Sequence, residues 1–103
     1  MDAVYSRLGI SMERLEAFCR DWQITELALF GSIVREDFHP GSDVDVMVEF
    51  HPDAEWGLWD FVRLQRELQE LLLKKVDLVE KGTIRNPYRR RSIDRDLTVV
   101  YAA

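Results

Sequence analysis

Three aspartates and one glycine–serine pair carry the chemistry open to this chain. Asp43 and Asp45 alternate within Asp43-Val-Asp-Val-Met-Val-Glu-Phe50, and Asp77 sits in the short apolar run Lys75-Val-Asp-Leu-Val79. In a strand, residues two apart leave the same face, so Asp43 and Asp45 stand roughly 7 Å apart at their Cα atoms, given about 3.3 Å of rise per residue. Carboxylates so placed can converge on a pair of cations roughly 3.5–4 Å apart. Gly31-Ser32 follows the apolar Leu27-Ala-Leu-Phe30 directly. Glycine lets a phosphate approach the backbone, the serine hydroxyl adds a donor, and unpaired N–H groups at a helix start attract the anion. Each piece alone is unspecific: Gly-Ser after a strand is ordinarily a plain turn, and Asp-x-Asp is ordinarily a cap beside a solvated residue. The combination reads as a divalent-metal site next to a triphosphate cradle.

The physics of such a cluster points the same way. Three carboxylates on one face repel one another at neutral pH and raise at least one pKa. Divalent metal relieves the repulsion, and Mg²⁺ suits the site because it takes oxygen ligands, keeps waters and accepts phosphate oxygens. Two such ions stabilise the attacking and leaving oxygens of an in-line displacement at phosphorus.

The elements that must position these groups follow from periodicity. Ser11 can cap a helix with Glu13 in its first turn, and Leu15, Phe18, Cys19 and Trp22 fall on one face. That helix ends near Asp21 or Trp22, and residues 1–10 read as a loose lead-in. Ile24–Phe30 is a strand whose unbroken apolar run suits burial on both faces. Ser32 to Glu36 makes one or two helical turns, and His39-Pro-Gly-Ser42 is turn chemistry. In the second strand, Asp43 to Phe50, the side chains Val44, Val46, Val48 and Phe50 oppose Asp43, Asp45, Met47 and Glu49. From Gly57 a long helix presents Leu58, Phe61, Val62, Leu64, Leu68, Leu71 and Leu72 on a broad apolar arc. Trp56 and Trp59 at its entrance read as sealing the core edge, with an interface as the other reading. A third strand carries Asp77 opposite Val76 and Leu78; beside the second strand, it brings Asp77 to the face of Asp43 and Asp45. Pro87 precedes a short basic helix from about Tyr88 to Arg95, and Leu97–Tyr101 has strand composition. The order predicts a small α/β fold on a three- or four-stranded mixed sheet packed with helices.

Composition sets the outer bounds. The 103 residues read as a single domain, 1–103, and 47% hydrophobic with 32% charged residues is ordinary for a soluble globular protein. The lone Cys19 excludes an internal disulfide, lies on a core face and has no neighbouring base to make it a nucleophile. No apolar run spans a bilayer and no leader is evident, so the expected location is the cytoplasm, away from membranes. A net charge of −5 argues against direct nucleic-acid binding. After Ile84, however, five arginines face Asp94 and Asp96, a local +3 that leaves −8 on residues 1–84. This basic segment reads as a phosphate or partner contact, or as a solvated helix face.

Gly31-Ser32, ten residues, then Asp43-x-Asp45, with a later Asp77 in an apolar strand, resembles the polymerase-beta-like nucleotidyltransferase superfamily. Arg35, Asp37 and Ser42 in the loop extend the likeness, which covers nearly the whole chain and looks closest to the minimal nucleotidyltransferases, or MNT proteins. The resemblance implies that Asp43 and Asp45 bind Mg²⁺, and that Asp77 binds the catalytic ion and orients the attacking hydroxyl. It also implies that Gly31, Ser32, Arg35 and Ser42 bind the nucleotide, with Gly31 and Ser32 on the β- and γ-phosphates. Members of that branch act as antitoxins: they use ATP to place AMP on a tyrosine of a HEPN-domain ribonuclease. Larger members carry a second domain for base and acceptor. Here those contacts are expected from a partner chain or a homodimer. The alternatives are an antitoxin that only binds its partner and, less in keeping with the length, a small-molecule nucleotidyltransferase.

Overall fold

Helix α1 (Met12–Asp21) leads into strand β1 (Ile24–Phe30), followed by a single 3₁₀ turn (Gly31–Val34) and a loop to β2 (Val44–Phe50). Helix α2 (Leu58–Leu72), β3 (Val76–Glu80), α3 (Pro87–Asp96) and β4 (Thr98–Ala102) complete the order. The computed structural model describes residues 6–35, 38, 39 and 41–103. Glu36, Asp37, Pro40 and the first five positions of the lead-in lie outside the described residues.

Strand β1 is the hub. It pairs antiparallel with β2 on one side and with β4 on the other, while β2 and β3 run parallel, giving a four-stranded mixed sheet in the order β3-β2-β1-β4. Parallel neighbours require a crossover, which α2 supplies. Leu27, Ala28, Leu29 and Phe30 are all buried, as an unbroken apolar run in a central strand demands. Leu27 and Leu29 join Val44, Val46 and Val48, Leu15 and Cys19 of α1, and Leu64, Leu68 and Leu72 of α2. Ala28 and Phe30 face the other way and meet Met47 and Ile93, the anchor of α3. Burial of each large apolar side chain contributes about 1.5–3 kcal/mol, so both faces of the sheet are held from α1, α2 and α3.

Local chemistry sets the ends. The Ser11 hydroxyl accepts from the Arg14 N–H at 3.3 Å, capping α1. Asn86 caps α3 by accepting from Tyr88 at 2.9 Å and Arg89 at 3.3 Å, with Pro87 at the first helical position. Helix α2 ends at Leu73, whose φ of 54° is left-handed and whose side chain is 87% exposed. An L-residue there loses about 1–2 kcal/mol that glycine does not. Leu73→Gly is therefore expected to stabilise the fold by about 1 kcal/mol, read as a melting temperature about 4–8 °C higher.

Three expectations need correction. The lead-in is not loose throughout: Leu8 and Ile10 enter the main core. Gly9 and Ser11 separate them from the periodic face of the helix that follows, so its pattern does not extend to them. The arc of α2 is also narrower than its apolar residues suggest. Leu58 and Val62 are 76% and 50% exposed, and Leu58 borders a groove by Phe50 and Leu78. Finally, the two tryptophans part company. The Trp56 indole N–H donates to the Trp22 carbonyl at 2.8 Å and its ring lies 5.1 Å from that of Trp22, sealing the core edge, whereas Trp59 is 82% exposed. No helix among the described residues is long and apolar enough to cross a membrane.

Candidate active site

The end of β1 and the starts of β2 and β3 meet at one edge of the sheet. Phe30, the last residue of β1, is the register partner of Asp45, and Asp45 is in turn the register partner of Asp77 on β3. Adjacent strands lie about 5 Å apart, so Asp45 and Asp77 leave the same face as close neighbours, with Asp43 just before β2. Val44 and Val46 flank Asp45 on the opposite face with no exposure at all. The strand is thus fixed by its apolar side, and the carboxylates have nowhere else to point.

Gly31 completes this edge. Its φ of +74° is left-handed, and a Cβ there would collide with the Asp45 carboxylate and come within 3.0 Å of its Cγ. Only glycine allows the turn and lets the backbone lie against the carboxylate. Ser32 is half-buried in the 3₁₀ turn, and its carbonyl accepts from the Arg35 N–H at 3.0 Å. Arg7 holds this turn from below, donating to the carbonyls of Ile33 at 2.7 Å and Arg35 at 2.8 Å.

A cleft of about 250 Å³ opens beside these groups, lined by Gly31, Arg35, Asp45, Arg89, Ser92 and Asp96. A larger groove, about 790 Å³, is at the other end of β2 and β3, between Phe50, Trp56 and Glu80, and none of the three aspartates borders it. The smaller cleft has the charged groups that chemistry requires. Asp45 has its carboxyl pKa raised, first by burial and then by the charges of Asp77 and Asp43, against the opposing pull of Arg35 and Arg89. Each of the other two aspartates is thus felt at Asp45. Arg35 donates to Asp96 at 2.7 Å, and Arg89 approaches Asp77 at 3.8 Å.

The sequence-derived residues do not all arrive in the same way. Gly31, Arg35 and Asp45 line the cleft, and Asp77 is joined to it through Arg89. The Ser42 hydroxyl is engaged within its own turn, accepting from the His39 N–H at 3.2 Å. Among the described residues, no three acidic, histidine or cysteine side chains close on one point as a ready ligand cage. Carboxylates with no cation bound between them repel rather than converge, and Mg²⁺ draws much of its shell from water and phosphate. The donor set still fits a hard divalent cation: all-oxygen, anionic and open on one side.

Sequence reasoning missed Arg89, Ser92 and Asp96 individually, placing them only within a basic segment. Their spacing at i, i+3 and i+7 held the signal, since it sets them on one face of a helix beside the apolar Ile93.

Comparison with known proteins agrees with this geometry. The nucleotidyltransferase domain family matches residues 11–100. A Methanocaldococcus jannaschii protein provisionally named a protein adenylyltransferase is 40% identical over 79 residues, covering 77% of this chain and 79% of that protein. A chain in the solved structure of a toxin–antitoxin with AMP-PNP superposes with a TM-score of 0.71 at 19% identity, over 91% of this chain and 75% of that one. Another comes from a complex of tri-AMPylated Shewanella oneidensis HEPN toxin with MNT antitoxin; its TM-score is 0.65 at 16% identity, over 93% and 73%. At such identities the structural likeness shows a shared fold. The family match over most of the chain, with 40% identity across most of a relative, shows more: this chain belongs to the nucleotidyltransferase domain family and is an enzyme of its protein adenylyltransferase branch.

Proposed function

We propose that this chain transfers AMP from ATP to a tyrosine hydroxyl of a HEPN-domain toxin, with Mg²⁺, and so acts as that toxin's antitoxin in the cytoplasm. The observation that carries the reading is the register of β1, β2 and β3, which lays Gly31 against Asp45 and Asp45 beside Asp77. The AMPylated toxin in one structural neighbour and the AMP-PNP in another support it. In this transfer the tyrosine oxygen forms a bond to the α-phosphorus. The bond from that phosphorus to the bridging oxygen breaks, pyrophosphate leaves, and the phenolic proton is released.

Asp43, Asp45 and Asp77 would hold divalent metal as a pair of ions, which when bound would supply charge stabilisation to the phosphate oxygens. The protein's own part is positioning and electrostatics. Gly31-Ser32 receives the β- and γ-phosphates, Arg35 adds a guanidinium at the cleft, and Ser42 shapes the turn leading into Asp43. Asp77, half-exposed at the rim, would orient an incoming hydroxyl. With ATP labelled at the α-phosphate, Mg²⁺ and a HEPN-domain toxin as acceptor, the wild-type chain is expected to label the toxin and Asp43→Asn/Asp45→Asn is not. Equal labelling by the double variant would sink the enzymatic reading.

The exposed Leu58, Trp59 and Val62 on α2 favour a second reading, in which binding alone neutralises the partner. Under it, the double Asn variant still protects cells from the toxin, whereas Trp59→Ala does not. A homodimer through the same face would appear as a doubled mass in solution.

A further inference from the structure

We propose that Arg89 changes partner as the site fills: it neutralises Asp77 in the nucleotide-free protein, and it moves onto the triphosphate when a divalent cation takes Asp77. This deepens the AMP-transfer reading and rests on it.

Two guanidinium groups border the cleft, and they are held differently. Arg35 lies 2.7 Å from Asp96, whose side chain is only 11% exposed. Arg89 lies 3.8 Å from Asp77, and both side chains are about half exposed. An open, long ion pair of that kind is weak and readily exchanged. The backbone beneath it is not loose. The Asn86 side chain accepts from the Arg89 N–H, and Ile93, four residues on, is buried against Ala28, Phe30 and Met47. A fixed helix therefore carries a side chain able to swing between Asp77 and the cleft.

The chemistry of filling the site requires such a swing. Arg89 and a cation compete for the same Asp77 oxygens, so the arrival of the ion releases the guanidinium. A triphosphate enters at the same time, bringing more negative charge than the cleft now holds. The guanidinium fork suits phosphate oxygens better than an ammonium does. The lack of a closed carboxylate cage among the described residues accords with an Asp77 turned toward Arg89.

The test measures binding rather than turnover. Mn²⁺ alone is titrated into nucleotide-free protein, and AMP-PNP is titrated in excess Mg²⁺, for wild type, Arg89→Gln, Arg89→Lys and Arg91→Gln. Arg89→Gln is expected to bind AMP-PNP about tenfold more weakly or worse, the effect of a lost charge-assisted contact, and to bind Mn²⁺ more tightly than wild type. Arg89→Lys falls between wild type and Gln for the nucleotide, and Arg91→Gln, on an exposed part of the helix, matches wild type. Weakening of both ligands by Arg89→Gln, or no tightening of Mn²⁺, overturns the exchange. Asp45→Asn in the same titrations separates the two levels. If it binds both ligands as wild type does, the AMP-transfer site itself is misassigned; if it loses them while Arg89→Gln changes neither, only the role of Arg89 fails.

Discussion

Asp45→Asn is expected to abolish AMP transfer and, in the same protein, to raise the stability of the nucleotide-free fold. Loss of one member of the carboxylate cluster should lower the rate by roughly 10²- to 10³-fold or more, as removal of a charge-organising group at a reacting centre does. The gain in stability has a separate origin. Burial raises the Asp45 pKa first, and the charges of Asp77 and Asp43 add to it, so the ionised form is disfavoured in the folded chain. A carboxyl with a raised folded-state pKa binds more protons folded than unfolded between its ordinary value, about 3.9, and the raised one. Stability therefore falls as pH rises through that window, and the loss persists at neutral pH. Asparagine cannot ionise and escapes it. The variant should be more stable than wild type at neutral pH, a gain of the kind seen when function-imposed strain is removed. Below the window the advantage should vanish. Urea titrations at several pH values check the sign, and a variant no more stable than wild type at pH 7 would mean that the cluster is not under electrostatic strain.

The same cluster shows why some of the molecule was legible in the sequence. The alternation of Val44, Val46 and Val48 fixes a face by period two, so the direction of Asp45 follows from its apolar neighbours, and the structure buries all three valines. The unbroken Leu27–Phe30 run announces a central strand because no other position hides both faces. What stayed hidden depended on which groups pack across elements. Arg89 looked like one of five similar arginines, and only the docking of Ile93 against β1 and β2 decides that Arg89 turns toward Asp77. Trp56 and Trp59 share a residue type and a neighbourhood, yet one reaches Trp22 and the other reaches solvent. Arg7 supports the turn through backbone carbonyls, which have no sequence signature.

Gly31→Ala is expected to damage both fold and site, and the damage can be divided. A left-handed φ of +74° costs an alanine about 1–2 kcal/mol wherever it occurs. The second part is specific to this edge. The new Cβ would meet the Asp45 carboxylate, and β2 cannot yield, because Val44 and Val46 are fully buried on its other face. The carboxylate must leave its position, which removes it from the cleft. Total destabilisation of about 2–4 kcal/mol is expected, within the range for strain combined with overpacking, along with loss of AMP-PNP binding. Asp45→Ala separates the two parts, since it keeps the Asp45 Cβ, at an ordinary 3.4 Å from the added methyl, and deletes the atoms that collide. In that background Gly31→Ala should cost only the backbone part, about 1–2 kcal/mol. The difference between the two costs is the coupling energy of the glycine and the carboxylate. Urea midpoints of the four proteins measure it. Equal costs in both backgrounds would show that Gly31 serves its turn alone, and that the contact between turn and carboxylate is incidental to the site.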